Sequence, residues 1–202
     1  MALKYDINLK ASSPISKLLL FECLKGESRK VFQFNIYING EPESGKTEYR
    51  EIIDIPDIYQ FNFFLEQKIN SLREREELSF SSRVSVNNEI FHIPMIDFSD
   101  ANDEQLFYGV SKLQETFNFD FYLFSSGRSF HAYVDALLPE KEWRKFLGEL
   151  LLLNNRKENN IVDSRWIGHS IKQEFSSLRL SCNTPLYLAY PEYLQKIPKR
   201  FL

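Results

Sequence analysis

Cysteine is nearly absent: Cys23 and Cys182 are the two in 202 residues. Two thiols build neither a disulfide scaffold nor a zinc cluster, so a reducing, cytoplasmic setting is the expectation. Long apolar runs are missing too. None approaches the roughly 20 residues that span a bilayer, and the opening MALKYDINLK is too polar for a signal peptide, so no membrane partner is expected. Nor is there an excess of positive charge. A net of −3 excludes a uniformly basic protein that coats nucleic acid. Internal repeats and convincing linkers are also lacking, so residues 1–202 read as one domain, with subregions 1–88 and 89–202.

What is present is a core. Hydrophobic residues make up 43% of the chain, and 18 Phe with 10 Tyr favour strands. The charge is unevenly spread. Residues 1–120 hold 13 Lys/Arg against 20 Asp/Glu, whereas residues 121–202 hold 12 against 8. A locally positive C-terminal half permits an anion-binding face.

Hydrophobic periodicity places strands at 14–24, 30–38, 47–55, 79–87 and 89–98. Helices are expected from Pro56 to Leu72, from Asp100 to Phe117, from Pro139 to Leu153, and through Gln173 after Ile161. The fold class is α+β with a mostly antiparallel sheet. Phe119–Asp135 stands out: an apolar strand, the turn Ser125-Ser126-Gly127-Arg128, then a second strand carrying His131. Alternation puts Ser129 and His131 on one strand face.

Gly40–Thr47 satisfies G-x-x-x-x-G-K-[ST]. A working phosphate loop leads into a helix and offers its N–H groups. Here Glu41 and Glu43 repel phosphate, Pro42 lacks an N–H, and a strand pattern follows. The reading is a hairpin loop.

Several polar residues could carry chemistry. Asp97 ends the apolar run IPMID, where it could hold a divalent cation or cap the next helix. Asp100 and Asp103 suit caps or a first helical turn. Arg128 and His131 can grip an anion, or His131 can be structural. Asp163 ends a second apolar run, Arg165, His169 and Lys172 follow it, and Arg179 is expected to point outward from LRLS toward a groove.

In this order the residues resemble the archaeo-eukaryotic primase superfamily. IPMIDFS is similar to its first motif, with Asp97 in the leading position. Ser125–His131 is similar to its S-x-H motif, Val162-Asp163 to its third, and LRLSCN (178–183) to a downstream R-L-P-x-S-x-N stretch. The resemblance covers about residues 89–190. It implies an RRM-like catalytic sheet joined to an N-terminal α/β unit, and template-directed nucleotidyl transfer by a primase-polymerase type of enzyme. It further implies Mg²⁺ or Mn²⁺ held by Asp97 and Asp163, with His131 catalytic and Arg128, Ser129, His131, Arg165, His169 and Arg179 around the nucleotide. Nucleoside triphosphates, a single-stranded DNA or RNA template and a protein partner in replication, repair or a mobile element are the implied partners. The family's second acid in the first motif falls at Ser99, which removes a charge and a strong oxygen donor. A non-catalytic relative that binds nucleotide or nucleic acid, or scaffolds a complex, is the alternative.

Overall fold

The computed structural model describes residues 13–26, 28–39, 47–55, 61–99, 101–154 and 160–200. Two antiparallel sheets dominate. The first holds β1 (Lys30–Asn39), β2 (Thr47–Ile55), β3 (Glu76–Val86), β4 (Glu89–His92), β8 (Leu138–Pro139) and β9 (Ser177–Arg179), with order β2-β1-β3-β4-β8 and β9 also against β3. The second has the order β10-β6-β7-β5, from β5 (Met95–Asp97), β6 (Phe121–Ser125), β7 (Phe130–Val134) and β10 (Glu192–Ile197). The fold is α+β, as expected.

Both faces of β5, β6 and β7 are buried, and alternation assigns their apolar side chains to one of two cores. Met95, Tyr122, Phe124 and Tyr133 join Phe34, Leu78, Phe80 and Leu178 of the first sheet. Ile96, Phe121, Leu123, Ala132 and Val134 face the other way, onto α3 (Asp103–Thr116), α4 (Glu140–Leu152) and α5 (Ser164–Gln173). The layers are therefore sheet, sheet and helices. Trp143, Phe146, Leu147 and Leu150 of α4 are all buried, the stripe their spacing predicts.

Local rules decide where expectation and structure part. Residues 14–24 are not a strand: α1 (Pro14–Leu18) and a 3₁₀ turn at Glu22–Leu24 occupy the stretch. The Ser13 side chain accepts the Ser16 N–H, Pro14 sits at the helix start where its missing N–H is harmless, and Ile15 and Leu18 share the buried face. Residues 89–98 are not one strand. The chain breaks at Ile93-Pro94, where proline cannot donate, so β4 stays in the first sheet and β5 joins the second. α3 starts later than Asp100, because Asn102 and Gln105 form a reciprocal capping box. Asp103 lies in its first turn, and Asp100 lies outside the described residues. α2 spans Phe61–Ser71; the Pro56 start lies outside the described residues. Gly40–Lys46 lies outside them too, but Thr47 opens β2, so a strand follows that sequence and not a helix.

Candidate functional site

The face of the second sheet that carries Met95 and Tyr133 ends one register step further on. Met95 pairs with Tyr133, and Asp97 pairs with His131. Apolar contact between the sheets gives way here to a carboxyl and an imidazole, with Asp97 Oδ1 3.5 Å from His131 Nε2. A second carboxyl is brought up by the backbone. Phe98 and Val162 form an antiparallel bridge, Asp163 N–H donates to the Asp97 carbonyl (3.0 Å), and Ser99 N–H donates to the Ile161 carbonyl (3.0 Å). Asp163 then caps α5, its Oδ1 accepting the N–H groups of Arg165 and Trp166.

The turn after β6 supplies another wall. Gly127 has φ of +87°, and a Cβ there would meet the Ala189 backbone nitrogen at 3.0 Å, so glycine is required twice over. Ser126 and Ser129 bond each other, and the Ser129 hydroxyl donates to the Ser99 carbonyl, which ties the turn to the end of β5. The result is a cavity of about 460 Å³ whose lining includes Asp97, Ser99, Arg128, Ser129, His131, Asp163, Arg165, His169 and Arg179. All eight residues expected at a site thus border one cleft.

Their settings differ. Arg128, Arg165 and His169 are exposed, the last two one helical turn apart on α5. Arg179 is not outward-facing as expected: it is only 5% exposed. Its guanidinium donates to the carbonyls of Ser181, Ala189 and Ser126, and lies 3.9 Å from the centre of the Tyr187 ring. Burial of such a charge requires this full set of acceptors. The LRLSCN stretch is fixed beside it. Buried Glu77 accepts from the Ser181 hydroxyl and the N–H groups of Asn183 and Thr184, while the Asn183 amide donates to the Arg73 and Glu76 carbonyls.

Electrostatics set the deep end apart. Asp97 keeps 28% of its side-chain surface open. Surrounding protein nevertheless strips its carboxylate of water, and with Asp163 nearby its pKa rises to about 7; the Arg179 charge opposes the rise. Burial, then Arg179, pushes His131 down to about 3, so its imidazole is neutral at ordinary pH, and its Nδ1 has no partner. Among the described residues no three His, Cys, Asp or Glu side chains cluster as a metal site. The donor set of Asp97 and Asp163 fits a cation completed by phosphate oxygens and water, the habit of Mg²⁺, better than a resident ion.

The motifs and candidate residues of the sequence do not include five lining residues: Tyr37, Trp166, Gln173, Ser177 and Tyr187. Trp166 and Gln173 follow from the helical spacing with Arg165 and His169. Tyr37 sits on a strand whose sequence carries no such signal.

The family described as AEP-like, archaeo-eukaryotic primase 1D-like, matches residues 60–192, well over half the chain and every residue of the cleft except Tyr37. The chain belongs to this family. No curated protein and no solved structure gave a match. This AEP-like protein has, among its described residues, no helix long and apolar enough to cross a membrane.

Proposed function

We propose that this AEP-like protein is a nucleotidyltransferase of the primase-polymerase kind, adding nucleotides on a single-stranded template. The observation that carries the reading is the convergence of Asp97 and Asp163 at the deep end of a cleft whose rim bears Arg128, Arg165 and His169. Phosphoryl transfer asks a protein chiefly for positioning and charge neutralisation, and these residues offer both. Asp97 and Asp163 would hold Mg²⁺ or Mn²⁺, which neutralises the triphosphate and acidifies the attacking hydroxyl. Ser129 and His131 approach the reacting phosphate from the β7 side. Neutral His131 can donate one hydrogen bond to it without repelling the cation. The Arg179 guanidinium keeps its field on the same spot and holds the turn that presents Ser129. Arg128, Arg165 and His169 meet the remaining phosphates. DNA replication, repair and mobile-element maintenance all employ this chemistry.

Ser99 favours a second reading. It borders the cleft where the family pattern has an acid, so the cation site has one fewer charge. On that reading the protein binds nucleotide or nucleic acid, or scaffolds a complex, without transfer.

One assay separates the two. The protein is incubated with primed and unprimed single-stranded template, labelled nucleotides and either cation, beside Asp97→Ala and Asp163→Ala. Extension or priming should fall at least about a hundredfold in each variant. A wild type that binds nucleoside triphosphate yet makes no product leaves only the second reading. Lys46→Ala should change neither binding nor extension.

A further inference from the structure

Part of the cleft wall is the polar face of the first sheet. Alternation along β1 turns Phe34 and Ile36 to the core between the sheets, and Asn35 and Tyr37 to the opposite face. Asn35 pairs with Ser79, and Ser79 with Arg179, so these three form one row across β1, β3 and β9. Tyr37, Ser177 and Arg179 share that face, and all three line the cleft. Asn35 stands among them.

The groups around Asn35 are engaged. The Ser81 hydroxyl donates to the Gln33 amide oxygen at 3.2 Å, and the Ser79 hydroxyl to the Asn35 carbonyl at 3.4 Å. Tyr37 shares a hydrogen bond with Tyr187, and Arg179 has its three carbonyls. The Asn35 amide is the exception. It is wholly buried, yet neither Nδ2 nor Oδ1 has a hydrogen-bond partner among the described residues. An unmet buried donor and acceptor cost stability, and leucine would fill a similar volume without that cost.

Such an amide is matched by a ligand that sets an acceptor beside a donor in one plane. In a nucleotide the base does this. A templated reaction turns the pairing edge of the base to the template and leaves the major-groove edge to the protein. On that edge adenine alone puts an acceptor, N7, next to a donor, the N6 amino group. Guanine offers two acceptors there, and each pyrimidine one polar group.

We propose that Asn35 selects the base of the bound nucleotide and that its match is adenine, with Nδ2 donating to N7 and Oδ1 accepting from N6. The base reaches the amide by turning the Tyr37 ring aside, while the phosphates stay at the Asp97 end; a cavity of about 460 Å³ has room for both. Asn35 and Tyr37 lie outside the matched residues 60–192, so this preference is a property of the chain that the family match does not carry. The proposal rests on the cleft being a nucleotide site and adds which nucleotide it takes.

The test is calorimetric titration with Mg²⁺ present. ATP, GTP, CTP, UTP, 7-deaza-ATP and inorganic tripolyphosphate are each added to wild type and to Asn35→Leu. Wild type should bind ATP about tenfold more tightly than the other three bases. 7-Deaza-ATP, which has a carbon in place of N7, should bind about fivefold more weakly than ATP, and that comparison needs no variant to fold. Both differences should vanish in Asn35→Leu, with tripolyphosphate binding unchanged and a Tm raised by about 2–4 °C. Equal wild-type affinity for the four nucleotides, or a preference that survives in Asn35→Leu, overturns the proposal and leaves the phosphate site standing. A variant that melts lower and still binds ATP as wild type does also overturns it, since the amide then serves the fold. A wild type that binds none of these ligands, tripolyphosphate included, sinks the proposal and the proposed function together.

Discussion

Asp97 holds its proton to about pH 7 in the folded protein, while the unfolded chain releases it near roughly pH 4. Stability from that group is complete below the unfolded value and is lost as pH rises through about 7. His131 has the opposite sense. Its folded pKa is about 3, so its contribution is complete above the unfolded value near roughly 6.5 and is lost as pH falls. The two slopes oppose each other in between. Above about pH 6.5 the Asp97 loss stands alone, so the Tm of the ligand-free protein should drop toward about pH 8. In Asp97→Asn that drop should vanish. Carboxyl ¹³C NMR gives a second check: Asp163→Asn removes the neighbouring negative charge and should move the Asp97 midpoint down. A midpoint that stays fixed would mean burial alone sets the value. At this scale the sequence was eloquent. Asp97, His131 and Asp163 are identifiable because each ends or begins an apolar run, and an apolar run that stops at a polar residue marks where a core stops. Arg179 departs from the alternation pattern because alternation describes where Cβ points and not where a long side chain finds its acceptors.

Secondary elements meet at the Ser125–Ser129 turn. Gly127→Ala forces a Cβ onto Ala189 and a left-handed φ onto alanine, and should cost about 1–2 kcal/mol in urea unfolding. Glu77→Gln keeps the shape but turns a buried acceptor of three donors into a poorer one. A loss of about 2–3 kcal/mol is expected, with faster proteolysis at the 184–190 loop. Element types were legible where periodicity ran long, as in β1, β3, α4 and the β6–β7 hairpin. Termini were set by short-range chemistry, which a periodicity reading passes over: the Ser13 cap before Pro14, and the box between Asn102 and Gln105. The break at Pro94 escaped for a different reason. Residues 89–98 are apolar on both sides of it, and only the topology reveals that they serve two sheets.

For the molecule, the decisive fact is that one sheet serves two cores. Phe124 belongs to the core between the sheets and Phe146 to the core beneath the helices, yet β6 borders both. Neither core can open without baring the other, so unfolding should be a single transition with coincident midpoints by circular dichroism and tryptophan fluorescence. Phe124→Ala and Phe146→Ala should each lower that one midpoint, by about 3–5 kcal/mol of stability. Separate transitions would show the layers to be independent. None of this sharing is legible in the sequence, since alternation tells that a strand has two faces but not that both are covered.

Trp166 has a place between these layers: it packs against both cores, borders the cleft, and donates its indole N–H to the Ser177 carbonyl at 2.9 Å. The other tryptophan, Trp143, is sealed in the helical layer and stacked on His92. The chain therefore carries its own optical probe. A ligand entering the cleft changes the polarity around one indole and leaves the second as an internal reference, so occupancy can be followed by emission without any label. Trp166→Phe should abolish the response while Trp143 continues to report that the fold is intact.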